Sequence, residues 1–489
     1  MRCGLAMAVW ATARATTAPP PNIVFVLLDD TGYNEFGYNA RASTPNPGPG
    51  VKTPRIDALA AGGVRLTSYY ATLLCTPTRA AIMTGRYPFR YGVTGYVIEP
   101  QAPWGIPLDE RFLPEFLQDA GYETAIFGKW HLGFFKPEFL PLSRGFDHQT
   151  GLYNWGGDHY SHEIGYNYEI GYDWNVNQVP ATQFRGKYSG ELVRDDAVNF
   201  IHVRNATRHH SSAQPYFLYV AFQESHGPYQ VGAKYRAMYP HLATMPNFQN
   251  LCGMISHNDA MVGDIVDALD ATRAIMNTVV IVSADNGGTG LHLENMPQMP
   301  SRFDPQINIR NFPFRGVKHE NYEGGVRVGA LVYAPYLLPA ASSGSAMDSL
   351  FHAVDWLPTL TSAAGASLAT RRHHPLDGLD QWACLLGDSS KCGRTEVVIN
   401  FNTVCDAPGG HGAPGVVGNF STENPAPKAG LRSGDLKLLA ECYNASSHSF
   451  VGRLELYNLT AECAIRVYGS EPRHARHCMS SLPVRIDLT

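Results

Sequence analysis

The sequence has no apolar run of the roughly 18–20 residues that a membrane-spanning helix needs. It also has no internal repeat and no block rich in lysine and arginine. The first absence leaves no membrane span to expect. The last argues against nucleic acid as a partner, because a phosphate backbone is held by clustered cations. Charge is sparse throughout. Charged residues make up 17% of the 489 and the formal net charge is −5, so charge says little about a substrate. Apolar residues are plentiful instead, and a hydrophobic fraction of 44% suffices for a large buried core.

Cysteine is scarce until the last quarter, where Cys384, Cys392, Cys405, Cys442, Cys463 and Cys478 crowd together as disulfide partners of an exported protein would. Cys252 reads as a small buried apolar residue. At the amino terminus Arg2, the apolar stretch from Leu5 to Ala11 and Ala13-Arg14-Ala15 form a short export signal, and residues 1–20 read as signal and linker. Cys3 would leave with it. Sequons begin at Asn205, Asn419, Asn444 and Asn458.

Four short apolar runs set the fold class. Asn22 to Leu28 (NIVFVLL), Thr124 to Phe127, Tyr216 to Phe222 (YFLYVAF) and Thr278 to Val282 (TVVIV) are continuous rather than alternating. They are too short for typical helices, so they predict strands buried on both faces, as in parallel sheets. Helical patterns lie between them. Thr53 to Ala61 has Thr53 as N-cap, Pro54 at the first helical position and Gly62-Gly63 as the stop. Leu113 to Ala120 ends at Gly121, and His257 to Leu269 is apolar at helical spacing. The alternation predicts an α/β layered domain over 21–389. Gly409 to Ala429, rich in Gly, Pro and Ala, predicts a long loop. Strand-like pieces at Leu436–Ala440 and Leu454–Asn458 place a smaller α+β domain with a short antiparallel sheet over 390–489.

Each apolar run is followed by polar groups able to do chemistry: Asp29 and Asp30, Lys129 and His131, His226, and Asp285 and Asn286. Ligands of open α/β sheets bind beyond the carboxyl ends of the strands. If the four strands are parallel, these groups meet at one edge. A single Asp after a strand is an ordinary turn former; the weight lies in all four strands ending alike. Asp29, Asp30, Asp285 and Asn286 are hard oxygen donors suited to Ca²⁺ or Mg²⁺. Lys129, His131, His226 and Arg79 suit an anion, so the set fits a phosphate or sulfate ester.

The most specific string is Cys75-Thr76-Pro77-Thr78-Arg79, continued to Gly85-Arg86. Alone, Cys75 could be a low-pKa thiol or a buried small residue. The whole string resembles the motif of type I sulfatases, in which Cys-x-Pro-x-Arg directs oxidation of the cysteine to formylglycine. Further resemblance lies at Asn22–Gly32, Gly128–Gly133, Gln223–Pro228, Ser283–Gly288, Phe314–Lys318 with Glu323–Arg327, Asp355–Thr359 and Leu376–Gly378. Pro107–Glu110, Leu140-Pro141 with Arg144–Asp147, and Asp158–His162 lean toward arylsulfatase B-like members.

The resemblance implies an alkaline-phosphatase/sulfatase-like fold, an export route to the lysosome or outside, maturation by a formylglycine-generating enzyme, and one Ca²⁺ per chain. It places Asp29, Asp30, Asp285, Asn286 and residue 75 around the ion. One hydroxyl of the hydrated formylglycine attacks sulfur, with Asp285 as base. Arg79 and Lys129 orient it, Lys318 and His226 hold the sulfate oxygens, and His131 takes the second hydroxyl's proton. The implied substrate is a sulfated small molecule or glycan. Leu152–Arg185, rich in Tyr, Trp and Asn, reads either as a specificity loop that stacks on sugar rings or as a packed surface loop. A phosphate or phosphonate ester hydrolase, and a non-catalytic glycan-binding relative, remain as alternatives. The same resemblance implies a Cys405–Cys442 bridge. Cys384–Cys392 and Cys463–Cys478 are put forward without its support. The segment Ala461–Thr489 departs from the family's usual ending.

Overall fold

The computed structural model describes residues 19–42, 50–93, 95–166, 168–207, 214–290, 310–368, 374–401, 429–444, 449–459 and 463–467. The export signal, Cys405, Cys478 and residues 409–428 of the expected loop lie outside them, while Ala429 already begins a strand. Three of the four sequons fall wholly or partly outside as well. Asn205 sits in the last turn of the helix Ser189–Thr207.

All four apolar runs are strands: Asn22–Leu28, Glu123–Gly128, Tyr216–Phe222 and Thr278–Ala284. The first pairs in parallel with both the third and the fourth, and the third pairs in parallel with the second. They form the centre of a ten-stranded mixed sheet with antiparallel pairings toward its flanks. Side chains alternate between faces along a strand. Accordingly Phe25 meets Trp356 of the helix Trp356–Ala363 on one face. Tyr216 and Phe127 meet Phe200 of Ser189–Thr207 on the other. Burying a Val, Leu, Ile or Phe contributes about 1.5–3 kcal/mol each. The strands thus supply the stability against which charged groups can be held out of water at their ends.

Three local expectations need correction. The helix expected over His257–Leu269 runs from Pro246 to Ala271; its first turns escape the apolar pattern because polar residues there, Gln249 and Ser256 among them, are buried. Thr53 precedes the helix Pro54–Gly62 but does not cap it: its hydroxyl accepts from Gly37 N at 2.8 Å and donates to Asp57 at 3.2 Å. Leu152–Arg185 is no plain loop. It carries the hairpin Glu163–Tyr166/Glu169–Tyr172 and two short strands at the sheet edge.

A second, five-stranded antiparallel sheet comprises Glu396–Phe401, Ala429–Ser433, Leu436–Asn444, Ser449–Asn458 and Cys463–Val467. Gly434 has φ 54°, the left-handed geometry of a tight hairpin turn. Val397 and Ile399 pack on Tyr70, Leu73, Leu74 and Val326. Cys384 and Cys392 form a disulfide, while Cys75 and Cys252 are free and buried. No described helix is long and apolar enough to cross a membrane.

Candidate active site

The parallel pairing brings the polar strand ends together. Asp285 N donates to Leu28 O at 3.1 Å, Lys129 N to Ala221 O at 2.8 Å and Asp29 N to Glu224 O at 3.2 Å, so the ladder continues into the functional residues. Asp30 and His131 then leave the strand direction with φ 51° and 58°. Left-handed geometry is unusual for residues with a Cβ and marks functional turns.

Cys75 arrives from another direction, at the first position of the helix Cys75–Thr84. Pro77 lies in the first turn, where its missing N–H costs nothing, and Gly85 closes the helix with φ 65°. Thr76 donates to His131 O at 3.1 Å and accepts from Ile98 N at 3.1 Å. That fixes the helix start against the Lys129–His131 turn. Cys75 is 1% exposed.

Carboxylate oxygens of Asp29, Asp30 and Asp285 and the Cys75 sulfur lie within 4.8 Å of one another, all buried. Cations surround them. Lys129 Nζ is 2.5 Å from Asp29, Arg79 Nη2 is 2.8 Å from Asp285, and Lys318 Nζ is 2.7 Å from Asp30. Arg79 also donates to Lys129 O at 3.1 Å. Asn286 Nδ2 donates to Asp30 at 2.9 Å, and His226 Nε2 is 4.0 Å from the same carboxylate. Every site residue expected from the sequence except His131 therefore falls in this one cluster or touches it; the backbone carbonyl of His131 is held by Thr76, and its ring feels the charges of Lys129 and Arg79.

A model of the sulfatase family matches residues 21–366. The chain belongs to the sulfatase family. Within it, the chain is 32% identical to arylsulfatase J of Mus musculus over 429 residues, 86% of this chain and 64% of that one. It is 31% identical to N-acetylgalactosamine-6-sulfatase of Canis lupus familiaris over 388 residues, 76% of this chain and 67% of that one. The match thus spans about two thirds or slightly less of these relatives. Among solved structures, that of Ps i-CgsB superposes with a TM-score of 0.70 at 25% identity, over 90% of this chain and 87% of that one.

Electrostatics in this site follow from burial and close charges. Burial pushes Asp285 up to about 7, helped by the neighbouring Asp29 charge and opposed by Arg79 and Lys129. Burial would raise Asp30 too, but Lys318, then His226 and the Asn286 hydrogen bond, outweigh it and hold Asp30 below the carboxylate range. Burial pushes the Cys75 thiol up to about 12, against the pull of Lys129 and Lys318. An unmodified thiol held that high is a poor nucleophile. Burial, then Lys318, lowers His226 to about 3. Burial, then Lys129 and Arg79, holds His131 well below 6.5. His131 Nε2 lies 3.1 Å from Ile98 O, and a carbonyl only accepts, so Nε2 carries a proton. Nδ1 of the neutral ring then bears a lone pair, and no partner meets it.

The donor set fits a hard divalent cation. Carboxylates and an amide oxygen dominate it, and the buried Asp29 Oδ1 and Asn286 Oδ1 have no partner. Such atoms are costly to leave unpaired.

Sequence reasoning missed a second layer. Asn311 brackets Gly288, accepting from its N at 2.8 Å and donating to its O at 2.9 Å. Ser225 N donates to Asp29 O at 2.9 Å. Gly287 N donates to Gly325 O at 2.9 Å, and a Cβ on Gly287 would sit 1.9 Å from Gly324 O. Only the glycine pair at 324–325 inside the motif hinted at this close approach.

Proposed function

We propose that this chain hydrolyses sulfate esters, with residue 75 as nucleophile after oxidation of Cys75 to formylglycine by a formylglycine-generating enzyme. The observation that carries the reading is the buried Asp29–Asp30–Cys75–Asp285 cluster ringed by Arg79, Lys129 and Lys318. A Ca²⁺ ion, one per chain, would be held by Asp29, Asp30, Asp285, Asn286 and residue 75, and would neutralise charge on the attacking oxygen.

Lys318 and His226 hold the sulfate oxygens with sulfur in line with residue 75. Arg79 and Lys129 orient the hydrated aldehyde, and Asp285 accepts the proton of its attacking hydroxyl. As the new S–O bond forms, the bond to the leaving alcohol breaks, and the alkoxide takes its proton from the Lys318–His226 pair. His131 Nδ1 then accepts the proton of the second hydroxyl. The carbon–oxygen bond to sulfate breaks, sulfate leaves with the electron pair, and the aldehyde is restored and rehydrated by water. The partnerless Nδ1 supports the His131 assignment.

The substrate class proposed is a sulfated glycan or small molecule, in keeping with the N-acetylgalactosamine-6-sulfatase relatives. Export, to the outside or to the lysosome, belongs to the same reading, and the Cys384–Cys392 disulfide supports it. A catalytic domain over 21–389 and a smaller domain over 390–489 are proposed with it. Intact-mass analysis of the peptide around Cys75, from protein matured with the generating enzyme, should give a product about 18 Da lighter than the thiol form. That protein should turn over a nitrophenyl sulfate in strong preference to the matching phosphate. An unmodified thiol would favour a glycan-binding role, and a preference for phosphate would favour a phosphate ester hydrolase.

A further inference from the structure

Arg310 is fully buried and lies in none of the motifs above. It reaches two of the turns that carry the carboxylates. Its Nη2 donates to Asp30 O at 2.5 Å and to Glu35 at 2.9 Å. Its Nε donates to the other Glu35 oxygen at 2.6 Å. Its Nη1 donates to Thr289 Oγ1 at 2.7 Å and to Thr289 O at 3.4 Å. A guanidinium has five N–H donors, and each has a partner here. Glu35 in turn accepts from Gly32 N at 2.7 Å. One planar group therefore ties the Asp29–Glu35 turn to the Asp285–Thr289 turn.

The surroundings are shaped for it. A Cβ on Gly288 would lie 2.9 Å from Arg310 Nε, and one on Gly32 would lie 2.2 Å from Arg310 O. Only glycine leaves the slot open. The carbonyl that Arg310 holds belongs to Asp30, the residue in left-handed geometry. Asp30 is also the node between the turns: its N donates to Asp285 at 3.1 Å and its carboxylate accepts from Asn286 and pairs with Lys318. Rotation of that peptide would swing the carboxylate away from Asp285 and Asn286.

We infer that Arg310, clasped by Glu35, is a positioning residue that sets the spacing of the two cation-ligating turns. The inference rests on the calcium reading above. Partners behind the ligands of a metal site are worth about 10–100-fold in metal affinity. Lysine cannot replace the fork, since it has three donors on a point charge.

The test follows thermal unfolding of the full matured chain as Ca²⁺ is titrated. A ligand that binds only the folded state raises the midpoint once its concentration passes Kd, and the rise then grows with the logarithm of that concentration. Wild-type protein should show that rise. Arg310→Lys should need about 10–100-fold more Ca²⁺ to reach the same rise in midpoint. Glu35→Gln, which keeps the shape and loses the charge, should shift the requirement the same way by a smaller factor. A clasp that merely holds the fold would lower the Ca²⁺-free midpoint and leave the Ca²⁺ requirement alone. A requirement within about twofold of wild type in folded Arg310→Lys therefore overturns the inference. If that variant does not fold, Glu35→Gln decides on the same criterion. Absence of any Ca²⁺ effect on the wild-type protein overturns the calcium reading and the clasp with it.

Discussion

The two main sheets do opposite work around Cys75. The ten-stranded sheet delivers functional groups from the ends of its parallel strands, where backbone ladders run straight into Asp29, Lys129 and Asp285. The five-stranded antiparallel sheet delivers none of the clustered groups. It packs on Leu73 and Leu74 just before Cys75, and on Val326. It also sends in two buried cations. Lys437 Nζ pairs with Glu323 at 2.7 Å, and Arg432 donates to Tyr70, whose hydroxyl donates to Glu323 at 2.7 Å. Glu323 opens the turn whose Gly324 and Gly325 carbonyls press on Gly287, next to Asn286. Similar buried ion pairs therefore serve different ends. At the first sheet they surround reacting atoms; at the second they seat the sheet on Tyr70 and on the turn that Glu323 opens. Parallel strands all point their ends the same way, whereas antiparallel neighbours send theirs to opposite edges.

The sharpest way to break this contrast is to remove the nucleophile. Cys75→Ala should lose turnover by at least about 10⁴-fold while the protein stays folded. Turnover of a nitrophenyl sulfate and a thermal melt check this together, and retained activity would remove residue 75 from the mechanism. Next comes a matched pair of lysine variants. Lys129→Met should lower kcat by about 10²–10³-fold, the scale of one lost charge-stabilising donor. Lys437→Met should lower kcat less than about tenfold but cost about 3 kcal/mol in denaturant unfolding, as expected when one partner of a buried pair is removed. Equal losses of kcat would erase the distinction between the sheets.

The smallest effect is a pair of opposite pH dependences. Burial would raise Glu323, but Lys437 and Arg327 outweigh it and hold it at about 2, below its usual 4.5. Its folded form binds fewer protons, so its contribution to stability is full above 4.5 and is lost as pH falls toward 2. Burial pushes Glu224, after the Tyr216–Phe222 strand, up to about 7. Its folded form binds more protons, so its contribution is full below 4.5 and is lost as pH rises through 7. Melting temperatures against pH should show Glu323→Gln flattening the acid limb and Glu224→Gln flattening the slope between 4.5 and 7. The same change in both variants would contradict the assignment.

Much of this was legible because it is local. Runs such as NIVFVLL can be stable only if buried on both faces, and Asp29 or Asp285 follows such a run directly. The residues placed around the cation all sit within two positions of a strand end, except Cys75, whose helix carries its own start and stop. The long helix Pro246–Ala271 was half hidden because its buried polar residues break the apolar stripe. Thr53 misled because its hydroxyl serves Gly37 rather than the helix it precedes.

By itself, the sequence determined which groups could do chemistry and that parallel strands would carry them to a shared edge. Those properties reside in neighbouring residues, where periodicity and turn chemistry act. Tertiary structure alone decided how closely the carboxylates approach, which cation faces which acid, and that Arg310 joins two turns while clasped by Glu35, 275 positions away. No local pattern encodes such a pairing. It exists only once the folded strands have closed the distance, and its strength depends on burial that the chain acquires at the same moment.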